Sequence, residues 1–313
     1  MPKISIITTT YKHEKFVRDT IESVLAQTFT DWELLIGDDN SPDKTYEIVL
    51  EYAKKDSRIK VWKNPTNLGI VGNMNLLLSQ ISPESKYITF LEGDDMYTPE
   101  NLEEKMKILG NDTTLVGVIS HVSKINAQGE MVNVSQAKIQ GKVRYSLIDF
   151  LKLGNPIQSF GAVIFKKSLL EKYIPFILPS GEKNPMFGPL DYWLWTNIIP
   201  NNDIYFSSNP YFLYRVHPNN FVKNVSTMNN QLETIYQSII SKNTDISVHE
   251  ICHRFIIFNR FISDFFDGKR LRVFISFFTL IHKYPPGLVD KNIMGVFILN
   301  FLPKSFQNYI LHK

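Results

Sequence analysis

Residues Tyr87 to Pro99 read YITFLEGDDMYTP, and the rest of the chain is organised around them. Tyr87-Ile88-Thr89-Phe90-Leu91 is apolar and rich in β-branched and aromatic side chains, the pattern of a buried strand. It runs directly into Glu92, Gly93, Asp94 and Asp95. Carboxylates at the end of a buried strand are costly unless a cation stands beside them. Thr98 and Pro99 have the chemistry of an N-cap and a first helical residue. Strand, acidic turn and helix in succession place the acids in the crevice outside the carboxyl end of an open parallel sheet. A hard divalent cation that keeps several waters and bridges phosphates needs one or two carboxylates at such a place. The alternative is a solvated acidic turn.

Upstream, strands and helices alternate. Lys3 to Thr8 is expected as a strand, followed by the polar turn Thr9-Thr10-Tyr11-Lys12-His13. Val17, Ile21, Val24 and Leu25 recur at helical spacing, predicting a helix over Phe16 to Ala26. Trp32 to Gly37 is a second strand ending in Asp38-Asp39-Asn40-Ser41, and a helix follows to about Tyr52. Ile59 to Trp62 is a third strand. The loop Asn64-Pro65-Thr66-Asn67-Leu68-Gly69 leads to a helix near Asn73 to Gln80. Four alternations indicate right-handed βαβ units and a parallel sheet.

Downstream the pattern loosens. Leu115 to Val122 is expected as one strand, Asn126-Ala127-Gln128-Gly129 as a hairpin turn, Ser146 to Leu153 as a short helix, and Gly161 to Phe165 as a strand. Ile174 to Pro189 is a long loop with four prolines, of a length that is usually either functional or disordered, and its prolines and glycines suggest a lid over the donor. Leu190 to Ile199 returns to helix and Tyr211 to Val216 to strand. From about Met228 the chain is expected to be helical. We divide it into a catalytic domain, 1–225, with halves 1–110 and 111–225, and a helical region, 226–313.

The 313 residues, 43% hydrophobic and 21% charged, fit one large or two modest globular domains. A net charge of +3 is too small to imply a nucleic-acid partner. One cysteine, Cys252, excludes an intrachain disulfide framework and a cysteine-rich metal site, and fits a reducing compartment. Ile4-Ser5-Ile6-Ile7 is too short for the apolar core of a signal peptide.

Three polar clusters follow three of the first four strands: Thr9-Thr10-Tyr11, Asp38-Asp39-Asn40-Ser41 and Glu92-Gly93-Asp94-Asp95. Neighbouring parallel strands would gather them on one rim. Tyr11 offers an aromatic face, Asp39 an acceptor for a base N–H, Asn67, Gly69 and Asn73 a loop with amide donors, and the acids a metal for a diphosphate. The constellation suits a nucleoside diphosphate carrying a leaving group.

ISIITTTYKHEKFVRDTIESVLAQTFTDWELLIGDDNSPDKT, NPTNLGIVGNMN and YITFLEGDDMYTPENL resemble the inverting family 2 glycosyltransferases of GT-A fold, most strongly over residues 1 to about 105 and more weakly to about 220. The resemblance implies an α/β fold: a Rossmann-like, mostly parallel sheet flanked by helices, here with a C-terminal helical extension. It implies that Thr9 and Tyr11 hold uracil and ribose, that Asp39 bonds the base, and that Asn67 and Asn73 lie along the donor. It also implies that Asp94 and Asp95 hold the ribose and a Mg²⁺ or Mn²⁺ on the diphosphate. Glu92 stands at a ribose-contacting donor position where many relatives have Asp, and Gly72 where relatives often carry Arg or Lys. Gly188-Pro189-Leu190-Asp191-Tyr192-Trp193-Leu194-Trp195 is similar to the family's Glu-Asp motif. That puts Asp191 at the catalytic base, with Leu190 in place of the preceding Glu. A carboxylate at a helix start, with Trp193 and Trp195 shaping a sugar pocket, agrees with that; the alternative is an ordinary N-cap. Tyr214-Arg215-Val216-His217-Pro218-Asn219-Asn220 resembles a late motif whose histidine ligates the metal or touches the diphosphate, which assigns His217.

The implied activity is metal-dependent, inverting transfer of a sugar from a nucleotide-sugar donor, a UDP-sugar, to a saccharide or lipid-linked acceptor in surface polysaccharide synthesis. A non-catalytic nucleotide-sugar binder within an assembly complex is the second reading. A nucleotidyltransferase is the third, disfavoured because Thr9-Thr10-Tyr11 lacks the glycine-rich basic loop expected there. Sugar, acceptor and linkage depend on Gly154 to Asp191, where no motif is legible. From Cys252 to Lys313, Phe258, Phe261, Phe265, Phe274, Phe277 and Phe278 recur at helical spacing among nine Lys and Arg. The apolar runs are shorter than the ~20 residues of a spanning helix. This pattern points to cytoplasmic protein held peripherally on the anionic inner face of the plasma membrane. Packing on the catalytic domain or a homodimer would use the same face.

Overall fold

The computed structural model describes residues 3–134, 139–157, 159–179, 188–218, 225–267 and 272. The chain divides into two compact units, 1–178 with 183–220, and 179–182 with 221–313.

The first unit opens with the expected alternation: β1 (Ile4–Thr10), α1 (Val17–Leu25), β2 (Trp32–Asp38), α2 (Thr45–Ala53), β3 (Ile59–Lys63), α3 (Gly69–Leu78) and β4 (Tyr87–Phe90). The four strands lie side by side in the order β3-β2-β1-β4, all parallel. Every residue of β2 is buried, as expected of a strand covered on both faces. Val17, Ile21 and Val24 place one apolar stripe of α1 against Ile4, Ile6, Leu34 and Ile36 of the sheet.

Beyond β4 the chain departs from the simple repeat. β10 (Val163–Lys166) inserts antiparallel between β4 and β6 (Gly117–Ile119). β11 (Ile204–Phe206) runs parallel to β6, and β9 (Gly141–Val143) closes the edge antiparallel. The eight strands order as β3-β2-β1-β4-β10-β6-β11-β9. The architecture is α/β with a mostly parallel sheet, as the resemblance implies.

A second sheet was not legible in the sequence. It orders as β5 (Met96–Tyr97), β12 (Phe212–Arg215), β7 (Val122–Ile125) and β8 (Met131–Val134). Residues 115–122, expected as one strand, are therefore split. The chain leaves the main sheet at Ser120, His121 N–H donates to the Asn209 carbonyl, and β7 pairs with β12. The same sheet corrects the helix start expected at Thr98. Pairing of β5 with β12 keeps Met96 and Tyr97 extended, and Thr98 N–H donates to the Tyr211 carbonyl. α4 (Asn101–Asn111) begins after that, with no side-chain cap bond. The 126–129 hairpin turn forms between β7 and β8, with Gly129 at φ +84°. α5 (Leu147–Lys152) is capped by Ser146, whose hydroxyl accepts from Asp149 N–H. A short α6 (Lys167–Leu170) follows β10, and α7 (Leu190–Ile198) follows the long loop. Residues 180–187, half of the expected lid, lie outside the described residues.

In the second unit α8 (Val225–Lys242) and α9 (Ile246–Phe266) pair, with the rings of Tyr236 and Phe255 stacked at 5.3 Å. Phe261 is fully buried, so this member of the expected membrane-facing stripe is not a free apolar surface. Phe274, Phe277 and Phe278 lie outside the described residues. Among the described residues no helix is long and apolar enough to cross a membrane.

Candidate active site

The carboxyl ends of β2, β1 and β4 form one rim because their register is direct: Thr10 pairs with Asp38, and Ile7 with Phe90. Backbone bonds continue past the strands and tie the three polar clusters together. Asp39 N–H donates to the Thr10 carbonyl at 2.9 Å, and Gly93 N–H to the Thr9 carbonyl at 3.0 Å.

At one end of the rim Asp39 is buried and works as a helix cap. Its carboxylate accepts from the N–H groups of Leu68 (2.7 Å) and Gly69 (2.9 Å) and from the Asn64 amide (2.8 Å). This explains why α3 starts at Gly69, four residues before the expected Asn73: Asp39 satisfies its first donors, and Gly69 takes φ +73° at the turn. A carboxylate has about four lone-pair directions, so room for one donor from a ligand remains. The Asn67 amide bonds the Asp39 carbonyl and accepts from Gly69 N–H. Asn73, expected along the donor, is turned inward. It is 1% exposed, its amide donating to the Gly37 carbonyl and accepting from Asn64. Helix α3 packs under β2 and takes this side chain with it. Thr9 and Tyr11 stay partly accessible on the rim, with Lys12 Nζ 4.9 Å from the Tyr11 ring centroid.

The acidic turn lies at the other end. Its three carboxylates do different work. Asp94 meets two imidazoles: His217 Nε2 is 2.9 Å from Asp94 Oδ2, and His13 Nε2 is 3.9 Å from the same oxygen. Burial raises the Asp94 carboxyl, but the His217 hydrogen bond and the two imidazole charges outweigh it and hold the group below its ordinary value. Asp95, the other acid expected at the metal, points the other way. It is 1% exposed, and its Oδ1 accepts from Arg215 N–H at 2.8 Å. Strand β12 ends there, and its last N–H requires an acceptor. Burial and the neighbouring Asp94 charge push Asp95 well above the carboxylate range. Glu92 is pushed to about 8, first by burial, then by the charge of Asp94. Gly93 allows the crowding: a Cβ there would stand 2.7 Å from His13 Nδ1 and 2.8 Å from Thr10 Oγ1.

Asp191 opens α7. Its Oδ1 accepts from Tyr192 N–H at 2.6 Å, and burial raises its carboxyl to about 6. The group is partly accessible, and its charge reaches Glu92 across the rim. Trp193 packs edge-on against Phe176. Trp195, expected beside the sugar, is instead fully buried between Phe160 and Phe165; α7 turns that face onto β10.

The donor set fits a hard divalent cation that keeps ligands from elsewhere. Asp94 and His217 present a carboxylate oxygen and an imidazole nitrogen at one point, with His13 behind them. Among the described residues no three His, Cys, Asp or Glu side chains close around a common centre. Mg²⁺ and Mn²⁺ sites of this sparse kind are completed by water and substrate phosphate.

The family profile "Glycosyl transferase family 2" matches residues 5–174, more than half of the chain. The chain belongs to glycosyl transferase family 2. It is 32% identical over 206 residues to the Escherichia coli UDP-Glc:alpha-D-GlcNAc-diphosphoundecaprenol beta-1,3-glucosyltransferase WfgD, covering 64% of this chain and 71% of that protein. It is 29% identical over 221 residues to the Campylobacter jejuni GalNAc(5)-diNAcBac-PP-undecaprenol beta-1,3-glucosyltransferase, covering 69% and 65%. A third relative, the putative Bacillus subtilis glycosyltransferase EpsE, matches over only 34% of this chain and 38% of its own length, at 38% identity. Among solved structures, Staphylococcus aureus TarS 1–349 shares the fold with TM-score 0.64 at 17% identity, over 99% of this chain and 92% of that one. The mannosyltransferase PcManGT of Pyrobaculum calidifontis, solved with GDP-Man and Mn²⁺, has TM-score 0.59 at 14% identity, over 98% and 87%.

In this family 2 chain two residues at the rim escaped the sequence reading. His13 looked like one more polar turn residue; its signal was its place directly after the first polar cluster. Arg215 stood inside the late motif but drew no notice beside His217.

Proposed function

We propose that this chain is a metal-dependent glycosyltransferase. It moves a sugar from a nucleotide diphosphate sugar, a UDP-sugar, to a hydroxyl of a lipid-linked saccharide, with inversion at the anomeric carbon. One observation carries the reading: a carboxyl raised to about 6 at Asp191 shares a rim with the separate Asp94–His217 pair. A base and a diphosphate-binding pair on one rim suit a displacement between them.

Tyr11 and the free lone pair of Asp39 take the nucleoside end, with Thr9 and Asn67 beside them. Asp94 and His217 face the diphosphate, where a bound Mn²⁺ or Mg²⁺ would offset the charge growing on the leaving group. Asp191 takes the proton of the acceptor hydroxyl. That oxygen forms its bond to the anomeric carbon on the face opposite the diphosphate, while the bond from that carbon to the diphosphate oxygen breaks. One displacement inverts the centre and needs no covalent sugar–enzyme intermediate. We assign Asp95 to holding β12 rather than to the cation.

The names of the E. coli and C. jejuni relatives, both glucosyltransferases acting on undecaprenol-linked saccharides, support the acceptor class. We place the reaction at the inner membrane surface, in polysaccharide synthesis. We assign catalysis to 1–225 and acceptor or membrane approach to the helical region 226–313.

The test is UDP release from UDP-glucose, with Mn²⁺, in the presence and absence of a synthetic saccharide-diphospho-polyprenol. Acceptor-dependent release lost in Asp191→Asn supports the reading. Tight UDP-sugar binding with no acceptor-dependent release under any donor would favour the non-catalytic binder.

A further inference from the structure

Arg215 is the most completely engaged cation at the rim. It is 0% exposed, so it does not itself reach a ligand. Its Nε donates to the Asp94 carbonyl at 2.7 Å, and its own backbone N–H to the Asp95 carboxylate at 2.8 Å. Nη2 donates to Asp19 Oδ2 on α1 at 2.9 Å, and Nη1 to the Ala127 carbonyl of the hairpin turn at 3.1 Å. Its flat face lies 5.1 Å from the Phe16 ring centroid, and that ring packs on His217 at 4.6 Å. One guanidinium thus joins the acidic turn, helix α1 and the β7–β8 hairpin. It does so two residues before His217, which lies just past the end of β12.

These contacts define a geometry. Asp94 is held by its main chain from Arg215, while its side chain meets His217, which follows the end of the same strand and which the same Phe16 ring backs. The planar fork of arginine makes bonds in three directions at fixed angles; a lysine ammonium at this position is a point charge with a flexible stem. We propose that Arg215 is the positioning residue of the acidic turn: it sets where Asp94 stands relative to His217, and so the affinity of that pair for a divalent cation. The proposal rests on the reading of Asp94 and His217 as the diphosphate and metal end of the site.

The experiment is calorimetric titration of Mn²⁺ into the full chain saturated with UDP, for wild type, Arg215→Lys, Asp19→Ala and Asp94→Asn. Arg215→Lys should raise the Mn²⁺ Kd about tenfold, the usual scale for losing an outer partner of a metal ligand. Saturating Mn²⁺ should bring kcat back to within about threefold of wild type, which a general loss of folding would not allow. Asp19→Ala removes one solvent-facing partner of the guanidinium and should raise the Kd about threefold. A folded Arg215→Lys protein with wild-type Mn²⁺ affinity overturns the proposal. If that variant does not fold, unchanged affinity in Asp19→Ala overturns it instead. Asp94→Asn separates the two levels. Loss of Mn²⁺ binding there, with wild-type binding in Arg215→Lys, refutes the positioning role alone. Retained Mn²⁺ binding in Asp94→Asn refutes the metal reading and the proposal with it.

Discussion

Replacing Lys105 with Met should stabilise the protein. Lys105 lies on α4 beneath the acidic turn, fully buried, its Nζ 5.8 Å from the Tyr97 ring centroid and without a hydrogen-bond partner among the described residues. Burial alone lowers its amine from 10.5 to about 7. At pH 7 the unfolded chain carries this group fully protonated, while the folded chain carries it about half protonated. The gap between the two values, at about 1.4 kcal/mol per pH unit, corresponds to roughly 4 kcal/mol of stability withheld at pH 7. The unfolded state binds more protons between pH 7 and 10.5, so wild-type stability should rise with pH across that window, and the penalty is complete below it. Methionine has nearly the same length and carries no charge, and exchanging a buried charge for a fitting apolar side chain is often stabilising. The expected gain at pH 7 is about 1–4 kcal/mol, the lower figure allowing for the lost cation–π contact. Urea unfolding of both proteins at pH 7 and pH 9.5 measures it. The difference between them should shrink at the higher pH. A methionine variant less stable than wild type at pH 7, with the same pH dependence, would refute the unpaired buried amine. UDP affinity should not change, because the Tyr97 hydroxyl still bonds the Phe90 carbonyl and Thr89 beneath the turn.

The proposed base Asp191 acts in its deprotonated form, and burial has raised its carboxyl to about 6, so under that proposal wild-type kcat/KM should fall as pH drops through 6. Asp191→Asn should be flat there and lower by ~10²-fold or more, with UDP affinity intact; a wild-type acid limb persisting in the Asn variant would assign the titration elsewhere. Asp39→Asn sets an amide against the N–H groups of Leu68 and Gly69. It should cost about 2–3 kcal/mol in urea unfolding and weaken UDP in calorimetry; unchanged values for both would dismiss the cap and the base pocket together. Gly93→Ala forces a Cβ against His13 and Thr10 and should weaken Mn²⁺ in the UDP complex about tenfold while circular dichroism stays native. Unaltered Mn²⁺ affinity would take His13 out of the site.

Much of residues 1–110 was legible locally. The strand-helix alternation through β4 is a matter of apolar period, and polar residues at the ends of buried strands are conspicuous because burial there is costly. Asp39 and Asp94 were singled out by type and place, Asp191 and His217 by resemblance to the family's motifs, and the fold brings Asp94 and His217 into contact across 123 residues. What the sequence could not specify was the direction of each side chain. Asp94 and Asp95 are adjacent carboxylates with the same composition around them, yet one faces His217 and the other the backbone of Arg215. Asn73 and Trp195 were expected at the ligand and are core residues. The second sheet decides the divergence of Asp94 and Asp95, and helix packing on the main sheet decides Asn73 and Trp195. β5 and β7 are two and four residues long, too short to show a period. They exist because β12, more than eighty residues further on, supplies their partners. Local periodicity reports which residues are apolar; long-range strand pairing selects which face of the chain turns toward the site.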